Sequence, residues 1–240
     1  MNKKNLILII CAVVVLLIII WLIAVKMQDN NTNNITISTE ATTIEETSSV
    51  TLNSADSANS ANISDYVAEE DMFMHAMMED MMNIEKSGNA DIDFLAGMIP
   101  HHRSAIEMSE SYLDHDPRNA DIKALAQNII SVQQEEIDMM NSLISSIKES
   151  GVTNTEKADS YQDEYTQLMH TSHSHSTNEY NSVDQAFADG MIEHHQMAID
   201  MANLILKYSD NEEVKTLAEN IISAQEKEIK EMNDFLNSLA

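Results

Sequence analysis

From about Asp65 onward, apolar residues recur at alternating spacings of three and four, the signature of amphipathic helices. Phe94, Met98, His101, Ala105, Met108 and Tyr112 trace one helical face. The same face returns as Phe187, Met191, His194, Ala198, Met201 and Ile205, displaced by 93 positions. A second helix follows each of these. Its stripe reads Leu125, Ile129, Gln133, Glu136, Met140, Ile144 in the first copy and Leu217, Ile221, Gln225, Glu228, Met232, Leu236 in the second. The polar turns "DHDPRNAD" and "YSDNEE" join the partners. Neither hairpin can bury its apolar face alone, so the repeat predicts an all-α fold in which two duplicated hairpins close one four-helix bundle. The stretches "YVAEEDMFMHAMMEDMMNIEK" and "YQDEYTQLMH" predict a shorter helix before each hairpin.

The pattern changes completely before Asp65. An unbroken apolar run from Leu6 to Val25 is long enough to cross a bilayer as a helix, and the "WLIAVKMQ" that ends it offers no small-residue cleavage site. Residues 1–27 therefore read as an uncleaved signal anchor. Lys3 and Lys4 ahead of the run place the N-terminus in the cytoplasm, giving a single-pass protein of the cytoplasmic membrane with its C-terminal part outside. Residues 28–64, rich in Asn, Thr, Ser and Ala, read as a flexible tether. Residues 65–240 form the helical domain.

Composition narrows the partners. A formal net charge of -27 repels phosphate backbones and anionic headgroups, which excludes nucleic acid. The lone cysteine, Cys11, lies in the apolar run, so neither a disulfide framework nor a thiolate metal site is available. Methionine is heavily used, at 17 residues. No Ser-His-Asp, Cys-His or phosphate-loop arrangement is present, so binding is favoured over catalysis.

The stripes also carry side chains that a core does not ordinarily hold. His101 and His194 stand mid-stripe; His102 and His195 stand at its edge, four residues after Met98 and Met191. Gln133, Glu136, Gln225 and Glu228 take core positions on the second helices. An unpartnered buried carboxylate costs several kcal/mol and an amide ~1–3 kcal/mol, so partners are required, and the mid-stripe histidines are the expected ones. Two readings follow: structural pairs of His101 with Glu136 and His194 with Glu228, or a metal site. Convergence of four histidines, two carboxylates and several methionines favours the metal. Its candidate donors are Met98, His101, His102, Met108, Glu136 and Met140, with Met191, His194, His195, Met201, Glu228 and Met232 in the second copy. A further cluster, "DMFMHAMMEDMM", adds Met74, His75, Met77, Met78 and Met81, although methionine is also common core filler. "MHTSHSH", around His170, His173 and His175, reads either as a metal-catching loop or as a linker.

Spacing also bears on the metal. Bundle di-iron sites use Glu-x-x-His, and His-Glu-x-x-His marks common zinc hydrolases. Neither occurs; Met98-x-x-His101 and Met191-x-x-His194 stand instead. Thioether with imidazole and no thiolate suits copper, Cu(I) above all.

These motifs, Phe-x-x-x-Met-Ile-x-His-His-x-x-Ala-x-x-Met followed by Ile-x-x-x-Gln-x-x-Glu-Ile-x-x-Met, resemble the DUF305 family in both copies. The resemblance implies a ferritin-like helical bundle, exported or membrane-anchored, with copper binding in some members. It implies as ligands Met98, His101, His102, Met108 and their copies, together with the Met72–Met82 cluster. Pro100 is replaced by Glu193 in the second copy, and the early methionines have no full counterpart there, so the two sites are expected to differ. The leading expectation is a non-enzymatic copper buffer or scavenger, with a copper-transfer protein as a further partner. A ferritin-like metal-dependent oxidase and a purely structural bundle are the alternatives.

Overall fold

The computed structural model describes residues 48–171 and 179–239. Residues 1–27, expected to be an anchor, the first part of the expected tether, and His173 and His175 lie outside the described residues. Within them, no helix is long and apolar enough to cross a membrane.

The described chain is helical throughout, with six helices in the order α1 (Ser48–Met82), α2 (Ala90–Asp114), α3 (Ala120–Ser150), α4 (Thr155–Thr171), α5 (Val183–Ile205) and α6 (Glu212–Ser238). Short polar side chains start the hairpin helices as the repeat demands. Asn119 accepts from the backbone N–H groups of Asp121 and Ile122, and Asn211 from those of Glu213 and Val214. Each satisfies donors that a helix start leaves open. Gly151, with φ 68°, ends α3 in the left-handed region that suits glycine.

One boundary differs from expectation. The tether assigned to residues 28–64 is helical from Ser48 onward, so α1 is a long helix. The cause is docking. Ile63 and Tyr66 are buried, and Asn62 donates to the His115 carbonyl at 2.7 Å. Once that end is anchored, a stretch free of glycine and proline propagates the helix at little cost.

Helices α2, α3, α5 and α6 form the bundle, with α1 and α4 laid over it. Its interior is two apolar cores. Core A holds Phe94, Leu95 and Met98 of α2, Ile137 and Met140 of α3, Met201 and Ile205 of α5, and Leu217 and Ile221 of α6. Core B holds Met108 and Tyr112 of α2, Leu125 and Ile129 of α3, Phe187 and Met191 of α5, and Met232 of α6. Each bundle helix gives one end to each core, and the order along the helices makes α2 antiparallel to α5. Helix α1 serves both cores, Tyr66 packing in B and Met77, Met78 and Met81 in A. The 15 helical steps from Tyr66 to Met81 span about 22 Å.

Candidate metal centre

Between the cores lies a polar waist. His101, His102, Gln133, His194, His195 and Gln225 are all buried, the four histidines fully so. They come from the middle of each bundle helix, where the duplicated stripe turns from apolar to polar. The rings of His101 and His194 meet across the α2–α5 contact with centroids 3.9 Å apart. His101 donates its Nε2–H to the His194 carbonyl at 3.1 Å.

The carboxylates choose the other histidines. His102 Nε2 bonds Glu136 Oε2 at 2.7 Å, and His195 Nε2 bonds Glu228 Oε2 at 2.8 Å. The mid-stripe pairs expected from periodicity, His101 with Glu136 and His194 with Glu228, are therefore replaced by the stripe-edge pairs. The reason is rotation about the helix axis: the mid-stripe face of α2 is spent on α5, and the edge faces its own hairpin partner.

This pairing determines which nitrogen remains available. A histidine that donates Nε2–H to a carboxylate keeps its lone pair on Nδ1, the arrangement that orients metal-bound imidazoles. Nδ1 of His101, His102, His194 and His195 is buried without a hydrogen-bond partner, as is Nε2 of His194. Burial first, and then the neighbouring imidazoles, hold His101 and His194 well below the ordinary histidine range. Both are neutral at pH 7 and carry a free lone pair. The side-chain amides of Gln133 and Gln225 are likewise buried and unpaired. So many unsatisfied buried polar atoms in one layer call for a missing partner.

Among the described residues, no three His, Cys, Asp or Glu side chains converge on one point in a way that could hold an ion. A metal held at the waist would have to draw on thioethers. These are present on both sides. Met98 precedes His102 by four residues on one face of α2, and Met140 follows Glu136 by four on α3; Met191 and Met232 stand likewise to His195 and Glu228.

The ligand sets implied copy by copy are regrouped. Met108 belongs to core B with Met191 and Met232, while Met201 joins Met98 and Met140 in core A. The antiparallel crossing exchanges the far ends of α2 and α5. The early cluster is divided: Met77, Met78 and Met81 are buried in core A, Met74 borders both cores, and His75, Met72 and Met82 are exposed. Met169 is buried in core A, whereas the adjacent His170 is exposed. Met197, buried in core A, was not singled out from the sequence; its position three residues after His194 was the available signal.

Close approach at two glycines sets the depth of each side. A Cβ on Gly97 would stand 3.1 Å from the Tyr165 hydroxyl and 3.5 Å from Met201 Cε. On Gly190, its mate in the repeat, a Cβ would collide with the Glu70 carboxylate. Burial first, and then the charges of Asp71, Asp189 and Glu193, push Glu70 up to about 8.

The geometry defines a duplicated helical bundle with a buried histidine waist flanked by methionines. The model of the domain of unknown function DUF305 matches residues 24–144 and 184–240, and the chain belongs to that family. A curated relative, the uncharacterized protein L153 of Acanthamoeba polyphaga mimivirus, is 43% identical over 54 residues, covering 22% of this chain and 36% of its own length. The chain thus matches about a third of that relative. Among solved structures, CopM in the Cu(I)-bound form is 26% identical, with a TM-score of 0.47, covering 62% of this chain and 96% of CopM. CopM in the Ag-bound form gives 28% and 0.47 with the same coverage. A DUF305 fragment from Deinococcus radiodurans gives 20% and 0.44, again over 62% and 96%.

Proposed function

We propose that this chain is a non-enzymatic copper-binding protein, taking up Cu(I) at the histidine waist through imidazole Nδ1 and flanking thioethers. The observation that carries the reading is the pair of carboxylate-oriented histidines, His102 on Glu136 and His195 on Glu228, each with a buried, unpaired Nδ1. A site poor in converging oxygen and imidazole donors but rich in methionine favours a soft monovalent ion over Zn(II) or Fe(II). The apolar run at residues 6–25 suits a signal anchor holding the bundle outside the cytoplasmic membrane, where it would buffer or scavenge copper. A protein that accepts the ion by ligand exchange would be its partner.

The test is Cu(I) competition against a chromophoric chelator. Exchanging Met98 and Met191 together for Leu should weaken Cu(I) binding by about tenfold or more, while costing less than about 1.5 kcal/mol of stability per site. Unchanged Cu(I) affinity in that variant, or equal affinity of the parent for Zn(II), would refute the assignment.

A further inference from the structure

The repeat supplies each core with the same three methionines: Met98, Met140 and Met201 in core A, and Met191, Met232 and Met108 in core B. Beyond that trio, every further buried methionine falls on one side, while half-buried Met74 borders both cores. Helix α1 passes both cores, yet it presents Ile63 and Tyr66 to core B and Met77, Met78 and Met81 to core A. Helix α4 places Met169 in core A, and α5 places Met197 there. The repeat mate of Met197 is Ser104, buried with its hydroxyl unpaired. Met82 and Met139, on the same two helices as buried Met81 and Met140, are exposed.

Core A is the larger of the two, yet methionine supplies eight of its 24 buried residues against three of 15 in core B. The two cores have comparable aromatic content, Phe94, Tyr161 and Tyr165 against Tyr66, Tyr112 and Phe187, and they are cut from the same repeat. A thioether is a soft donor that needs no deprotonation, so its local number sets how many ways a soft cation can be held. Several interchangeable donors raise apparent affinity and permit stepwise exchange, whereas three donors hold an ion in one way.

We propose that the two cores are unequal soft-metal sites. Core A, with its added methionines from α1, α4 and α5, binds monovalent d10 ions first and exchanges them; core B fills second and holds one ion. This rests on the copper reading above and assigns an order within it.

Ag(I), a redox-inert d10 ion, is the probe. The full chain carrying 13C-methyl methionine is titrated, and the methyl resonances are assigned by single Met-to-Leu exchanges. Methyls of Met77, Met81, Met98, Met140 and Met201 should shift over the first equivalents. Those of Met108, Met191 and Met232 should reach half-saturation at about tenfold higher free Ag(I). Both sets moving in parallel would overturn the order while leaving soft-metal binding intact. No methyl moving at all would overturn the copper reading and this inference with it. A Met77→Leu/Met81→Leu variant should bring the two half-saturation points together, its metal-free core B methyls unshifted as proof that the fold survives. If core A keeps its lead in that variant, α1 is not the source and the assignment fails.

Discussion

Gly97 and Gly190 occupy the same position of the repeat, and the two surroundings show what duplication retained and what it released. At Gly97 the neighbours are the Tyr165 hydroxyl, Ile84 and Met201; at Gly190 a carboxylate, Glu70, takes that space. The same divergence reaches the helix starts. Asp184 is buried and accepts from the Tyr112 hydroxyl at 2.6 Å and from the backbone N–H of Asn119 at 3.1 Å. Its mate Asp91 keeps Oδ1 buried and unpaired, and burial raises its pKa. The histidine–glutamate bonds, in contrast, repeat to within 0.1 Å, at 2.7 and 2.8 Å. The waist was retained, and the covering helices were free to diverge.

The largest expected effect is on pH dependence, because it touches both halves. Histidines titrate near 6.5 in an unfolded chain, while His101 and His194 lie well below that when folded. Below pH 6.5 the unfolded state therefore binds more protons, and stability falls as pH drops, by about 1.4 kcal/mol per unit for each histidine. Glu70 acts in one half only and with the opposite sign. Raised to about 8, it is protonated when folded but ionised when unfolded, so its contribution is lost as pH rises from about 4.5 to 8. Chemical denaturation at pH 5, 6.5 and 8 should show a maximum near the middle value. Glu70→Gln should remove the alkaline decline and leave the acid one. In the Glu70→Gln variant, a flat profile from 5 to 6.5 would mean the waist histidines are solvated.

Removing the carboxylates separates the halves more finely. Glu228 is the more buried of the two, with a side chain 9% exposed against 14% for Glu136. Glu228→Ala should cost about 3 kcal/mol and Glu136→Ala about 2, as each strands an imidazole N–H in the waist. Urea denaturation measures both, and a larger loss at Glu136 would reverse the comparison.

The smallest effect concerns Gly190. Gly190→Ala should displace the Glu70 carboxylate and cost about 1–2 kcal/mol in the parent, but much less once Glu70 is Ala. Additive costs in that double-mutant cycle would show that the two residues do not share the space.

By itself, the sequence determined the helices, their hairpin pairing and the polar layer, because each is written in a short-range period. Phe94 to Tyr112 and Phe187 to Ile205 keep a helical stripe wherever the helix is placed, and His, Gln and Glu inside a stripe announce a buried polar layer without reference to any partner. Which histidine meets which carboxylate depended on how far α2 turns toward α5, and a periodicity of 3.6 residues does not specify that angle. Nor could the repeat reveal that Met108 serves the second core and Met201 the first, since that exchange exists only once α2 and α5 run antiparallel. The extension of α1 back to Ser48 was hidden for a related reason: its Ser, Asn and Ala residues have no stripe of their own, and the docking of Ile63, Tyr66 and Asn62 on the bundle makes that stretch a helix.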